Sequence, residues 1–331
     1  MPRLSIPLLS LLLILGGCAS QAPISQHTWH QVDQAILLSS RAAATQAREQ
    51  ALGDMQRWLK LLQDKAERDY IPWYSAYWTQ HWLGYRVAWY RLGSDADSQV
   101  AQRLARHLQD EYRQQVLQPV ALKLAPPQIL DNATRAYVRH LNRELPTIRD
   151  RHGIGAKPFN QHLQQIPAIT HAPGASLYQV LQAGALDRLP AYRGLLKGIR
   201  PAAQDWAMQP AMLDLARHSS QQLSGELAGS GGASLVGMAA GPAVGVPLSL
   251  GVAIFQANTR AKRRPATEAR LRQALQQSLT AHWQWLLDDR EHGVLAGVYH
   301  LSGQIEGGLR GQAYGHAPAQ TRQPPSTAGR P

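Results

Sequence analysis

Apolar residues recur at three- and four-residue intervals through most of the chain, the spacing that gathers them on one face of an α-helix. In the first long segment Leu52, Met55, Leu59 and Leu62 form such a stripe, with charged Asp54, Lys60 and Asp64 mainly off it. Gly93, followed by Ser94 and Asp95, supplies a stop and a new cap, after which Val100, Leu104, Leu108 and Tyr112 form the next stripe. Pro126 and Pro127 punctuate again, and a helix from about Gln128 to Leu145 is expected to end at Pro146. The clearest later stripe is Leu271, Leu275, Leu279, His282 and Leu286. No segment alternates convincingly with the two-residue period of a strand. The pattern predicts an array of antiparallel helices.

Residues 18–152 read as an N-terminal helical region and residues 202–310 as a second helical block. Between them, Gly153, Gly155, Pro158, Pro167, Pro173, Gly174, Gly184, Pro190 and Pro201 break residues 153–201 into a connecting region with one or two short helices, one near Ser176 to Ala183. Residues 311–331 have no periodicity and are rich in Gly, Pro, Ser and Thr, the composition of a disordered tail.

Between Glu226 and Arg260 no residue carries a formal charge. Small residues fall at every fourth position there, among them Gly229, Gly237, Gly241 and Gly245, a spacing that opens one helix face to close approach by another helix. As one straight helix the run would extend to about 50 Å, beyond a hydrocarbon core of roughly 30 Å. Pro242 and Pro247 sit near its midpoint and suggest an apolar hairpin over 227–259 with two helical arms. The segment resembles the glycine zippers of several outer-membrane lipoproteins. Three roles fit it: the buried centre of a helical domain, a hairpin in or against a membrane, or a self-association surface. Arg260, Lys262, Arg263 and Arg264 follow directly, as a headgroup-binding cluster or as a solvated helix start before Pro265.

A second concentration lies between Tyr70 and Tyr90, where Trp73, Tyr74, Tyr77, Trp78, Trp82, Tyr85 and Trp89 also fall, in a chain with only two Phe. On a helix beginning near Pro72 they cover one broad face. Trp and Tyr join an apolar body to a polar tip, which suits a core packed against neighbouring helices, a bilayer interface, or a groove in which sugars stack. Trp78, Trp82 and Trp89 are the candidate surface residues, with Arg86 and Arg91 able to stack on the rings.

Of 331 residues 44% are hydrophobic and 17% charged, which excludes wholesale disorder, and a single Cys excludes a disulfide framework or an iron–sulfur cluster. That Cys ends a leader: Arg3, an apolar stretch from Leu4 to Leu15, then Gly16, Gly17 and Cys18. Leu15-Gly16-Gly17-Cys18 closely resembles the lipobox of bacterial lipoproteins. The resemblance implies removal of residues 1–17, acylation of Cys18, and anchoring in membrane lipid. Ala19 follows the Cys where Asp would often imply inner-membrane retention, so the expected address is the outer membrane, facing the periplasm. The net charge of +12 then points to anionic lipid or lipopolysaccharide as a partner, beside a second copy or another envelope protein, rather than to nucleic acid.

No HExxH, G-x-S-x-G or GxxxxGK[ST] motif is present, and adjacent acids such as Asp110 and Glu111 read as solvated helix charges. His27 and His30, or Asp288, Asp289 and His292, lack convincing metal-ligand spacing. Neither a metal nor any other cofactor is expected. These observations predict an all-α multi-helix bundle with a Gly-rich apolar helical hairpin and a disordered C-terminal tail. The expected function is that of a non-enzymatic, outer-membrane-anchored lipoprotein whose hairpin contacts or enters a membrane, or self-associates in envelope assembly. Two alternatives stand beside it: a periplasmic glycan- or protein-binding module using the 70–90 aromatic face, and an envelope hydrolase without a recognisable motif.

Overall fold

The computed structural model describes residues 24–92, 97–171, 173–199, 212–221 and 250–315; for residues 92, 97, 250–263 and 312–315 only the backbone is described. The leader with Cys18, and Gly229, Gly237, Gly241 and Gly245, lie outside the described residues.

The fold is an all-α multi-helix assembly built on α1, Gln26–Lys65, a helix of 40 residues whose N-terminus is capped by the Ser25 hydroxyl accepting from the Thr28 amide. Val32, Ile36, Ala43, Ala47, Ala51, Met55, Trp58 and Leu62 make its continuous buried stripe. The stripe is rotated from the one the leucines suggest. Leu52 and Leu59 are only half-buried, whereas Asp54, expected off the stripe, is 4% exposed and ion-paired to Arg57.

Lys65 passes into a π-helical turn, Ala66–Tyr70, and then α2, Ile71–Ser75. The Ile71 amide donates five residues back to Ala66, and Pro72 lacks an amide N–H, so the usual ladder cannot resume at once. A second such turn, Arg113–Leu117, stands just before Pro119 and packs against the first. Between the two turns lie α3, Tyr77–Leu92, and α4, Asp97–Tyr112, the latter burying Val100, Leu104, Leu108 and Tyr112 as the spacing predicts.

After α5, Gln118–Ala121, the chain returns along α1 as α6, Pro126–Arg151, and the buried Ser40 and Tyr137 hydroxyls bond at 2.7 Å. Pro146 does not end α6 as expected but sits inside it. An interior proline costs a helix about 3 kcal/mol; Leu141, Leu145 and Ile148 keep the same face buried on both sides of it, and that packing carries the helix through. The helix stops at Gly153, φ +62°, whose amide donates to Asp150 while the Ile154 amide donates to Arg149, a Schellman cap.

The stretch expected as a connecting region contains α7, Ala156–Gln165, a short antiparallel hairpin of β1, Pro167–Ile169, and β2, Ala175–Ser176, then α8, Leu177–Gln182, a 3-10 turn at Leu186–Arg188, and α9, Pro190–Gly198. Phe159, Leu163, Ile166, Leu177, Tyr192 and Leu195 belong to the same buried cluster as the stripes of α1 and α6. Residues 212–221 form a helical stretch, α10, that adds Met212, Leu215 and Ala216.

Helix α11, Leu250–Asp288, runs unbroken through residues 260–264 and Pro265, so the charge-free run ends inside a long helix rather than in a separate arm, and the basic cluster does not start one. Its buried stripe is the predicted Leu271, Leu275, Leu279, His282 and Leu286. Arg272 grips Glu67 with two hydrogen bonds of 2.6 and 2.9 Å, while His282 meets Trp58, so α11 lies antiparallel to α1. Helix α12, Ala296–Gly315, extends past Gly311, where the tail was expected to begin. It packs through glycines: a Cβ on Gly297 would collide with Thr134, and one on Gly308 would lie 2.5 Å from Pro167 Cδ. Among the described residues no helix is long and apolar enough to cross a membrane.

Candidate functional site

Helix α3 meets the core through Leu83 and Val87, both fully buried and four residues apart. Its aromatic residues fall mostly on other faces. Trp78 is 76% exposed, Trp89 73%, Tyr85 46% and Trp82 43%, whereas Tyr70, Tyr74 and Tyr112 are almost wholly buried. Position decides which rings face water. The π turn at 66–70 and the extended Ala76 (φ −62°, ψ 140°) reset the helix direction, so Tyr70 and Tyr74 point into the core while Trp78 and the rings after it emerge.

The emerging rings line an open groove of about 490 Å³. Trp73, Trp78, Trp82 and Tyr85 line it, with Thr79 and His81 of α3 and Glu111 of α4 as the polar residues. The rings brace one another: Tyr77 and His81 stack at 5.9 Å, His81 and Tyr85 meet edge-on at 4.9 Å, and Trp73 lies 5.3 Å from Tyr70. Beneath the groove, Tyr70 donates to the Leu108 carbonyl at 3.0 Å and meets Tyr112 edge-on at 5.1 Å. The floor is thereby fixed.

Charge near the groove is unevenly distributed. Helix α3 contains no Asp or Glu but carries Arg86 and Arg91. The Arg86 guanidinium lies 3.9 Å over the Trp82 ring and donates to the Tyr90 hydroxyl at 3.3 Å. The His107 ring lies 5.0 Å from that of Trp82, and its Nε2 is buried without a hydrogen-bond partner. Burial, then the Arg86 charge, pushes the pKa of His107 below its ordinary value. Glu111 accepts from Gln115 at 3.0 Å and still lines the groove.

The groove lies far from the N-terminus. Forty helical residues span roughly 60 Å. At the start of α1, Asp33 accepts from His162 of α7 at 2.6 Å and Trp29 stacks on the same imidazole. At its far end, Glu67 meets Arg272 and Tyr70 meets Leu108, one residue from the His107 that touches Trp82. The end that leads back to Cys18 and the end that carries the groove are opposite.

No family model, curated protein or solved structure matches the chain. The groove must therefore be read from its own chemistry.

Of the residues singled out in the sequence, Trp78, Trp82 and Trp89 share the exposed side of α3, with Trp78 and Trp82 lining the groove itself. The side chains of Arg260, Lys262 and Arg263 lie outside the described residues; Arg264 is exposed and pairs with Glu268 at 2.8 Å, which also accepts from Ser75. Sequence reasoning missed Glu111 as a groove residue and His107 as the support behind Trp82. The signal was available: Leu104, Leu108 and Tyr112 fix the buried face of α4, and residues 107 and 111 flank it one turn apart. Among the described residues no cluster of three or more His, Cys, Asp or Glu could hold a metal.

Proposed function

We propose that the chain is a non-enzymatic, lipid-tethered protein of the bacterial envelope, held by acylated Cys18 at one end and binding an envelope ligand through the aromatic groove at the other. The observation that carries the binding reading is the exposure of Trp78 and Trp89 on a helix whose opposite face is anchored by Leu83 and Val87. Trp78 lines the groove and Trp89 stands exposed on the same side of α3, and water-facing Trp rings gathered on one side are the pattern of a contact surface, since a scaffold helix gains nothing by exposing them. The tether rests on the lipobox resemblance of Leu15 to Cys18.

The test uses the chain from Ala19 onward, which retains every described residue and has no acyl group. Co-sedimentation with purified total envelopes is expected for this protein and is expected to be lost in Trp78→Ala/Trp89→Ala with an unchanged circular dichroism spectrum. Equal retention of the double variant overturns the groove. Labelling of the full chain with a palmitate analogue, abolished by Cys18→Ala, tests the tether separately.

One observation favours a second reading, in which residues 227–259 contact a bilayer. The helices on either side of residues 222–249 are tied to the groove end, Ser219 bonding Tyr74 at 2.5 Å and Glu268 bonding Ser75 at 2.8 Å. Deleting 227–259 and measuring vesicle binding of the unacylated protein tests it: unchanged binding with unchanged folding excludes the role.

A further inference from the structure

We propose that the groove seats an arginine side chain presented by an extended segment of another envelope protein, its guanidinium stacked on the Trp78 and Trp73 rings and its edge paired with Glu111. The inference rests on the groove being a binding site and adds what occupies it.

Charge complementarity is the first argument. Among the described residues that line the groove Glu111 is the charged one, set among four aromatic residues, Thr79 and His81. Arg86 does not line it and is engaged with Trp82 and Tyr90. Glu111 is half-buried, and the hydrogen bond it accepts comes from Gln115, a neutral amide, so no ion pair among the described residues cancels its charge. A carboxylate partly withdrawn from water attracts a cation more strongly than one in bulk solvent. Its two oxygens have lone pairs enough to accept from a guanidinium fork and still hold Gln115.

The shape of the cation is the second argument. Aromatic faces are the negative side of the ring and attract cations. An ammonium is strongly hydrated and asks for acceptors around its three N–H bonds, which walls made mostly of ring carbon do not supply. A guanidinium is planar, weakly hydrated and donates only in its plane. Its faces therefore suit the Trp rings while its edge reaches the Glu111 carboxylate and the Thr79 hydroxyl. The same contact already exists within this helix: Arg86 lies 3.9 Å over the Trp82 ring and donates from its edge to the Tyr90 hydroxyl. With Arg86 on Trp82, the incoming guanidinium is assigned to Trp78 and Trp73.

Size is the third. A groove of about 490 Å³ falls in the range that holds a drug-sized molecule, more than one guanidinium fills, so residues flanking the arginine take up the remainder. A phospholipid headgroup fits less well, because it offers its ammonium beside a phosphate, which Glu111 repels.

The experiment titrates the chain from Ala19 onward, at constant ionic strength, with three blocked pentapeptides of alanine that carry arginine, lysine or citrulline at the centre. Citrulline keeps the shape of arginine without its charge. The readout is the set of Trp indole N–H resonances. Saturable shifts of the Trp73 and Trp78 signals are expected with the arginine peptide, weaker binding with lysine, and binding at least about tenfold weaker with citrulline. Glu111→Gln should weaken the arginine peptide by about tenfold and leave citrulline unchanged, with an unaltered circular dichroism spectrum. Trp78→Ala should cost it about fivefold, and Trp89→Ala, outside the groove, nothing. An excess of the arginine peptide, and not of the citrulline one, should release the protein from envelopes.

Equal binding of arginine and citrulline overturns the cation. Tetramethylammonium binding more tightly than the arginine peptide overturns the guanidinium in favour of a quaternary ammonium. Dimerisation in sedimentation equilibrium that Glu111→Gln abolishes moves the arginine to a second copy of this chain and overturns the separate partner. If the peptides do not bind while envelope co-sedimentation still requires Trp78 and Trp89, the arginine is wrong and the groove stands; if envelope retention ignores the rings, both fail.

Discussion

Replacing Trp78 by Ala should cost little stability, and the contrast with Trp58 makes that a sharp expectation. A Trp buries up to about 250 Å² when fully enclosed. Trp78 is 76% exposed, so it covers about a quarter of that, on the order of 60 Å². At about 25 cal/mol per Å² this is about 1.5 kcal/mol, and less once the unfolded chain is allowed some burial of its own. Trp58 is 2% exposed in the central stripe of α1, and its truncation should cost about 3–5 kcal/mol through lost transfer energy and the cavity left behind. Urea titration followed by circular dichroism at 222 nm reads both variants against the parent. The expected order is a small shift in midpoint for Trp78→Ala and a shift at least twice as large for Trp58→Ala, with similar m-values. Equal destabilisation would mean that Trp78 is enclosed in solution, and the groove would lose its basis.

Three further outcomes follow from the packing and the buried titrating groups. Gly297→Ala and Gly308→Ala should each destabilise by about 1–3 kcal/mol, because the added methyl meets Thr134 or the rigid Pro167 ring. Gly303→Ala, on the same helix with nothing within 4 Å, should instead stabilise by up to about 1 kcal/mol; thermal melts of the three variants read the sign directly. His282 has its pKa pushed down to about 4 by burial, so between that value and the ordinary 6.5 the unfolded chain binds more protons than the folded one. Its contribution is fully present above about pH 6.5 and is lost as pH falls toward 4, by up to about 3 kcal/mol; His282→Leu should flatten urea midpoints measured from pH 7 to 4.5.

The helical class was legible because the stripes of α4 and α11 use large residues at four-residue spacing, and Val100, Leu104, Leu108, Leu271, Leu275 and Leu279 are all buried as that spacing requires. In the first stripe Met55 and Leu62 are buried as expected, while Ala51 and Trp58 take the places given to Leu52 and Leu59. Ala43, Ala47 and Ala51 form the tight part of α1, and alanine carries too little hydrophobic weight to mark a face against nearby leucines. Pro146 misled for a different reason: the local rule prices one missing hydrogen bond, while the fold weighs the whole buried face from Ile129 to Ile148. Strands of three and two residues, at Pro167 and Ala175, are shorter than any alternation a sequence can display.

For the groove, composition identified the rings but not their orientation. With aromatics spread over more than half of the circumference of α3, a period of 3.6 residues does not say whether that face turns inward; Leu83 and Val87, the aliphatic pair on that helix that is fully buried, decide it. Thr79 and His81 belong to α3 itself, but Glu111 was invisible because it comes from another helix, and only the packing of α4 beside α3 brings it to the groove.

Separation of tether and groove has a measurable consequence for the acylated protein. From Cys18 to the Ser25 cap the chain can extend about 25 Å at most, and α1 adds roughly 60 Å more before the groove is reached. A body standing on that tether forms a protein layer about 60 Å or more thick above the headgroups, whereas one lying flat is limited to two or three helix diameters, about 30 Å. If the groove takes an envelope ligand outside the bilayer, the upright layer must be the populated one. Neutron reflectometry of the acylated protein on a supported bilayer should therefore find the thick layer, and find it unchanged in Trp78→Ala/Trp89→Ala, because the rings do not hold the body to lipid. A thin layer that thickens when the two rings are removed would show instead that the aromatic face lies on the membrane, and would turn the same residues from a seat for an envelope ligand into a lipid contact.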